Sequence, residues 1–328
     1  MQNSMKRAGS GFRSDAVQRL LALGALVILI IFFSIASEHF LTWSNAKGLF
    51  LATSVVGILA MGVTFGIITA GIDLSIGTVM TFSAVMTGVF ITNLGVPWPI
   101  GIFGGIHAGT LMGTVNGTLV ARFGLPPFIA TLGMLNIARG LALVISELRP
   151  IYFPDQPGFN ETFMGSVTGD LGFVDIPNLV FVFFGVAIVA GFILSRTVLG
   201  RYIFAIGSNE EATRLSGVRS MRYKASAYII SGTMAGIAGV VISARLNSAQ
   251  PAVGFGYELD AIAAAVIGGT SLAGGEGSIF GTVIGAFIIS VLTNGLRLLG
   301  VPQEWQITIT GIIVILAVYL DILRRRQN

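Results

Sequence analysis

The chain contains no cysteine and only two histidines, His39 and His107. The first absence excludes disulfide bonds and thiolate metal sites, and the second argues against a metal centre built from histidines. Charged residues are scarce as well. Asp, Glu, Lys and Arg make up 10% of the chain, whereas a soluble domain carries about 25%. So little charge is not typical of a soluble protein.

The chain also has no sequence signature of an enzyme. Its lysines, Lys6, Lys47 and Lys224, do not follow a glycine, whereas a phosphate-binding loop requires Gly-Lys-Ser/Thr. A membrane protease would need a serine and a histidine that face each other, and neither His107 nor Ser271 has a supporting constellation. We therefore predict that this chain is not an enzyme and does not hydrolyse ATP itself.

Long apolar runs take up most of the chain, and hydrophobic residues make up 54% of it. A helix needs about 20 apolar residues to cross a bilayer. Nine runs approach that length: Leu20–Ser37, Leu49–Ala70, Ile76–Thr92, Ile100–Ala121, Pro127–Ser146, Leu179–Leu194, Ala225–Ser243, Ile279–Leu298 and Trp305–Ile322. They are continuous, unlike the alternating strands of a β-barrel. We predict an all-α, polytopic membrane protein.

A tenth crossing is predicted at Pro251–Gly269, as a broken or tilted helix. Its apolar part, Leu259–Gly269, is too short to cross alone, and irregular backbone at membrane depth must be covered by protein or line a water-filled cavity. Ten crossings place both termini in the cytoplasm. Fourteen of the 19 Lys and Arg residues then lie on the inner side, as the positive-inside rule expects.

This topology predicts one transmembrane domain, residues 20–323, between basic cytoplasmic tails at 1–19 and 324–328. Its long hydrophilic segments are an outer loop, 147–178, and a cytoplasmic loop, 195–222. Neither segment is long enough for a soluble domain, so any activity outside the membrane requires partner chains. The net charge of +4 follows from the inner-side basic residues and does not indicate a nucleic-acid partner.

A polar decapeptide, Ser208–Gly217, lies within the predicted cytoplasmic loop. Ser208 or Asn209 can cap a helix, acidic residues follow where the helix dipole favours them, and Gly217 supplies a stop. A plain connecting loop is the alternative. We predict a docking helix for a partner chain, formed by Asn209, Glu210, Glu211, Ala212, Thr213, Arg214, Leu215, Ser216 and Gly217.

Several polar residues fall at membrane depth, where ionisable groups are costly. In Gly71–Gly77, either Asp73 or Ser75 caps the next helix, or a broken helix lines a passage, and both can hold. Glu258 and Asp260 suit caps and loop-ordering acceptors better than a proton relay. Asn116, Asn136, Arg139 and Asn294 suit interhelical hydrogen bonds, with one or two facing a solute. The predicted pathway residues are Asp73, Ser75, Asn116, Asn136, Glu258, Asp260 and Asn294.

Three segments resemble signatures of the ribose-type permeases of bacterial ABC sugar importers. They are GIDLSIG at 71–77, NEEATRLSGV at 209–218 and GYELDAIAAAVIGGTSLAGGEG at 256–277. Ala244–Pro251 and Asn294–Val301 resemble the same family, and the likeness extends from about Leu20 to Leu323. The outer loop and the tails depart from it, which leaves the exact sugar open.

The resemblance implies a homodimeric permease in the bacterial inner membrane, within an ATP-driven importer. A periplasmic binding protein would deliver a monosaccharide: ribose or a related pentose, hexose or polyol. An ATPase subunit would dock on residues 209–217 and use ATP and Mg²⁺, while this chain binds no cofactor and no metal. The rival interpretation is a secondary transporter, driven by an ion gradient, in which the Asp73 carboxylate titrates.

Overall fold

The computed structural model describes residues 20–153, 158–171 and 174–327. Over these residues the chain is predominantly helical. The helices are α1 (Leu20–Ala36), α2 (Trp43–Ile68), α3 (Ile76–Gly88), α4 (Trp98–Ala121), α5 (Pro127–Ile145), α6 (Phe159–Met164), α7 (Val167–Asp170), α8 (Asn178–Arg196), α9 (Val198–Ser208), α10 (Glu210–Leu215), α11 (Ser220–Leu246), α12 (Tyr257–Ile267), α13 (Ile279–Leu298) and α14 (Gln303–Gln327). A π-helical turn, Val89–Asn93, continues α3.

Within the described residues, six helices are long and apolar enough to cross a membrane. They are α2, α3 with its π-helical turn, α5, α8, α11 and α13. This confirms the predicted all-α, polytopic class. The helix α1 and the apolar part of α14 are shorter, and α12 has 11 residues. The count of ten crossings and the cytoplasmic termini therefore remain predictions.

Helix ends depart from the apolar runs for local reasons. The helix α2 begins at Trp43, ahead of the predicted Leu49, because Thr42 caps it by accepting a hydrogen bond from the Asn45 N–H. The helices α4, α5 and α8 each begin directly after a proline, whose fixed φ suits a helix start. Hydropathy alone misses polar residues that belong to a helix.

The helix α2 lies at the centre of the molecule. Its most apolar 18-residue stretch is 94% buried inside the protein, whereas the corresponding stretches of α5 and α8 are only 33% and 28% buried. The helices α8, α11, α12 and α13 pack around α2. The outward faces of α5 and α8 are rich in exposed Phe, Ile, Leu and Val, as expected for surfaces that meet lipid or another subunit.

The helices α4 and α11 approach each other closely along their length, and glycines make this approach possible. Gly105, Gly109, Gly113 and Gly117 recur at every fourth residue of α4. A β-carbon built on Gly113 would lie 2.9 Å from the Gly232 Cα of α11. The two backbones are therefore in direct contact, which is the arrangement that small residues allow between membrane helices.

The predicted outer loop, 147–178, includes short elements of regular structure among its described residues. It contains α6 and α7, and a two-residue strand, Ile151–Tyr152, pairs antiparallel with Ser248–Ala249. Phe159 is buried, with its ring centroid 4.9 Å from that of Phe153 and 6.4 Å from that of Trp98. This aromatic cluster supplies a small core for the loop.

An ion pair connects the same loop to α2. Lys47 Nζ lies 2.7 Å from Asp175 Oδ2. The hydrogen bond from the Lys47 ammonium holds the pKa of the exposed Asp175 carboxyl below its usual range.

Candidate functional site

The predicted docking helix forms as a separate short helix, α10. Asn209 is its N-cap, with Oδ1 accepting from the Ala212 N–H at 2.8 Å, while Ser208 is the last residue of α9. Gly217 follows the helix with φ +83°, the left-handed conformation that glycine adopts readily. The capping pattern read from the sequence is thus present, with Asn209 as the cap.

Two ion pairs hold the charged side chains of α10 in place. Arg214 Nη2 lies 2.6 Å from Glu211 Oε1 on the exposed side of the helix. Lys224 Nζ lies 2.8 Å from Glu210 Oε2 and connects α10 to α11. Of the two acidic residues, Glu210 is therefore held by the chain's own α11, and Glu211 lies on the free face.

The exposed pair is insensitive to physiological pH. The hydrogen bond from Arg214 holds the pKa of the Glu211 carboxyl below its ordinary value of 4.5, and Glu211 in turn raises the pKa of Arg214. A lowered folded-state pKa means that the pair is intact above pH 4.5 and is lost as the pH falls through that lowered value. Because both groups are fully exposed, the pair orients charge and adds little stability.

A backbone contact connects the start of the docking helix to the membrane core. We call it the glycine junction: Gly207, Gly274, Gly275 and Ile68. The Gly275 N–H donates to Ile68 O at 2.9 Å. A β-carbon on Gly207 would lie 2.5 Å from Gly275 N and would also overlap Ile68 O. The end of α9, the end of α2 and the glycine run thus meet main chain to main chain.

The Asp73 cluster is centred on the α2–α3 connection, which follows Ile68 in the chain, and consists of Asp73, Ser75, Asn116 and Ser231. Asp73 Oδ1 accepts from the Ser75 N–H at 3.0 Å and from Ser75 Oγ at 2.6 Å. Asp73 Oδ2 accepts from Ser231 Oγ at 2.6 Å, and Asn116 Nδ2 donates to Ser75 Oγ at 2.9 Å. All four side chains are buried. The cluster joins the α2–α3 connection to α4 and α11.

The cluster changes the capping interpretation of this segment. Ser75 occupies the N-cap position of α3, but its side chain makes no capping bond to the helix. Asp73 instead bonds the cap residue itself and a serine of another helix. Its carboxylate therefore has a positioning role between helices in this conformation.

Removing the Asp73 carboxylate is expected to destabilise the protein strongly. Asp73→Ala leaves the Ser231 hydroxyl and the Ser75 N–H buried without their acceptor, at a cost of about 3 kcal/mol. Asp73→Asn keeps one acceptor oxygen for Ser75, and the Ser231 hydroxyl can turn to accept from the new amide. We expect a clear fall in Tm in detergent for the alanine variant and a much smaller one for the asparagine variant. Equal Tm values for both variants and the unaltered chain would contradict this role.

The remaining predicted pathway residues do not hydrogen-bond to this cluster in the part of the chain that the structure describes. Asn294 Nδ2 donates to Asn45 Oδ1 at 2.9 Å and joins α13 to α2. Glu258 is buried and accepts from the Gly256 N–H at 3.1 Å, which orders the turn before α12. Asp260 is half-buried on α12, and Asn136 lies on the exposed face of α5.

Sequence reasoning missed Ser231, which no motif marks, although it provides a hydrogen bond to Asp73 from 158 positions away. It also missed the glycine junction, since nothing in the sequence shows that Gly207 and Gly275 contact Ile68. The two residues considered for a protease have other contacts. Ser271 Oγ accepts from the Ala273 N–H, and the His107 ring stacks on Phe103.

Membrane-length helices, with a capped polar helix beside them and a polar cluster between them, are typical of an integral membrane protein. Residues 45–318 match the family described as branched-chain amino acid transport system / permease component, and the chain belongs to this family. As predicted, it is a multi-pass protein of the bacterial cell inner membrane.

Individual relatives give a more specific similarity than the family match does. The chain is 40% identical to the ribose import permease protein of Escherichia coli (strain K12), over 92% of each chain. It is 40% identical to the D-allose transport system permease protein of the same strain, over 90% of this chain and 88% of the relative. It is 34% identical to the xylose transport system permease protein of that strain, over 97% and 95%. The resemblance to ribose-type permeases is thereby confirmed.

Proposed function

We propose that this chain is the membrane-spanning subunit of an ATP-driven importer of a monosaccharide. The relatives named for ribose, allose and xylose support a pentose or hexose as the solute. The docking helix α10 is the main support for an assembly of this chain with a partner subunit. A short helix that is capped at both ends and exposed beside the membrane suits binding by another protein. A separate ATPase subunit would bind there and use ATP and Mg²⁺.

The exposed face of α10 supports such a contact. Leu215 is 75% exposed at the end of the helix, next to the Glu211–Arg214 pair. An exposed leucine flanked by opposite charges matches the usual composition of an interface, with an apolar contact inside a polar rim. Thr213 is buried and faces the rest of the chain, so the partner would approach from the opposite side.

The exposed face of α5 supports a homodimer. Asn136 and Arg139 are both exposed on this helix, which lies at membrane depth. A charged residue at the centre of a membrane helix costs about 3 kcal/mol, so contact with lipid is unfavourable. Gly133 and Gly140 of the same helix have open space beside them, which lets another helix approach closely. A second copy of the chain would cover this face and enclose a polar passage.

The proposed topology has ten crossings with both termini in the cytoplasm. It places α10 on the inner side and the loop containing α6 and α7 on the outer side. A periplasmic sugar-binding protein would meet that outer side and deliver the solute. The solute would then pass inward as the helices alternate between outward-open and inward-open arrangements.

The first experiment is to purify the chain from its own membranes in mild detergent and identify what accompanies it by mass spectrometry. We expect a nucleotide-binding subunit and ATP-dependent sugar uptake after reconstitution. A chain that is recovered alone and moves solute in vesicles without ATP would overturn the importer.

The ion-gradient alternative makes a different prediction for Asp73→Asn. An ion-coupled carrier that titrates this carboxylate would lose uptake altogether in the variant. An ATP-driven importer would keep uptake in part, because the asparagine retains most of the hydrogen bonds of the Asp73 cluster. Uptake by vesicles with an imposed ion gradient, with and without ATP, separates the two.

A further inference from the structure

The exposed apolar face of α8 ends in an arginine. Val189 and Phe192 are 56% and 61% exposed, and Arg196 is the last residue of the helix. These three positions are separated by three and four residues, so they are neighbours on one side of the helix. Arg196 therefore extends the exposed face to the end of α8.

This face of α8 is placed to meet lipid. The helix packs against α2 and α13, whereas α5, which carries the proposed dimer contact, packs against α3 and α4. In a two-fold dimer both copies use the same patch of surface. Contact between two copies through α5 thus leaves the face of α8, whose most apolar stretch is only 28% buried, to the bilayer.

Two more arginines lie close to the end of α8. The helix α9 begins two residues after Arg196, and Arg201 is an exposed residue near its start. The ring centroid of Tyr202 in α9 lies 4.6 Å from that of Tyr223 in α11. Arg201 and Arg222 each directly precede one of these tyrosines, so both extend from the same contact between α9 and α11. We call Arg196, Arg201 and Arg222 the arginine patch.

The charges of the arginine patch are not neutralised by the residues that the structure describes. All three arginines are exposed, and their side chains form no hydrogen bond or ion pair with described residues. The acidic residues of the loop 195–222 are Glu210 and Glu211, which are already paired with Lys224 and Arg214. The patch therefore presents three positive charges to a ligand or partner.

The chemistry of the patch fits a phosphodiester at the membrane surface. An arginine offers five N–H donors in a fork that matches phosphate oxygens. Tyrosines, such as the pair beside the patch, are enriched at the level of the lipid headgroups. A phospholipid also supplies acyl chains for the apolar face that continues from Arg196 along α8. A protein partner on the cytoplasmic side would cover the charges but not that face, which belongs to a membrane-length helix.

We propose that the arginine patch binds the headgroup of an anionic phospholipid whose acyl chains lie against Val189 and Phe192. The lipid would neutralise the patch and hold the break between α8 and α9, where the backbone of Thr197 is extended, at the membrane surface. Lipid binding here would depend neither on the solute nor on ATP, so it goes beyond the proposed importer function.

The test measures binding of phosphatidylglycerol, which is anionic, and of phosphatidylcholine, which has no net charge. Each lipid is added to the purified full chain in mild detergent, and bound lipid is counted by native mass spectrometry. The variants are Arg196→Gln, Arg201→Gln and the two combined. We expect the unaltered chain to prefer phosphatidylglycerol. Each substitution should weaken its binding about fivefold, the factor that a basic residue near the headgroups contributes, and leave phosphatidylcholine binding unchanged.

Arg149→Gln is the matched control, because it removes an exposed positive charge from the predicted outer loop. It should leave the preference for phosphatidylglycerol unchanged. An equal loss in this control would overturn the site, since the preference would then follow the overall charge of the chain.

The other results also decide the proposal. Equal binding of the two lipids by the unaltered chain, or an unchanged preference in the double variant, would overturn it. A double variant that keeps the preference but loses a co-purified subunit would assign the patch to a protein partner instead. If the double variant is not recovered folded, Arg222→Gln decides, because it changes an exposed residue at the start of α11 and should show the same fivefold loss. No loss in that variant would overturn the site.

Discussion

Arg214→Glu is expected to reduce sugar uptake at least tenfold while the permease folds and reaches the membrane in normal amounts. The variant places a second carboxylate beside Glu211 and reverses the charge that the exposed face of α10 offers to a partner. Because the pair lies on the surface, its loss changes stability little. The measurement is uptake together with ATPase activity of the reconstituted complex, and we expect hydrolysis to continue without transport.

Two comparisons make this prediction specific. Arg122→Glu reverses an exposed charge at another predicted cytoplasmic turn and should leave uptake unchanged. Glu210→Gln breaks the contact with Lys224 and tests the position of α10 without reversing any charge, so its effect should be smaller. Unchanged uptake in Arg214→Glu would remove the docking role of α10.

Gly113→Leu is expected to prevent the protein from folding, with a destabilisation of about 3–5 kcal/mol. Even the first carbon of the new side chain would lie 2.9 Å from Gly232 Cα and would overlap the Tyr228 carbonyl oxygen. Backbone atoms on the facing helix cannot rotate away, so α4 and α11 must separate. Folded protein is measured as the monodisperse fraction in detergent together with Tm.

Gly185→Leu is the control for this substitution. Gly185 lies in α8, one of the six membrane-length helices, and a β-carbon there meets nothing within 4 Å. We expect close to normal yield for it. Similar losses in the two variants would mean that a large side chain at any helical glycine, and not the approach of α4 to α11, explains the effect.

The contrast between Gly113 and Gly185 also shows which features could not be predicted from the sequence. Apolar runs predicted the membrane helices because lipid forces every crossing to be long and continuous. Asn209, the acidic first turn and Gly217 predicted α10 because capping depends only on neighbouring residues. The chain has 44 glycines, however, and only the structure distinguishes those at helix contacts from those facing open space.

Contacts between residues far apart in the sequence are the other feature that could not be predicted. Asp73 was expected to bond locally, and one of its oxygens does bond Ser75. Its other oxygen bonds Ser231, and a serine in an apolar helix carries no signal of its partner. The order within the outer loop was missed for the same reason, since Phe159 finds its aromatic neighbours only after the chain has folded.

The glycine junction has a mechanical consequence. Where long side chains separate two helices, a small displacement of one is absorbed by rotation about side-chain torsions. At Gly207 no such torsion exists, since its backbone rests directly on Ile68 and Gly275. Atoms already in contact cannot be compressed further, so inward motion of the segment that leads into α10 must push the end of α2 by the same amount. The stiffness of this connection belongs to the main chain and does not depend on which solute is bound.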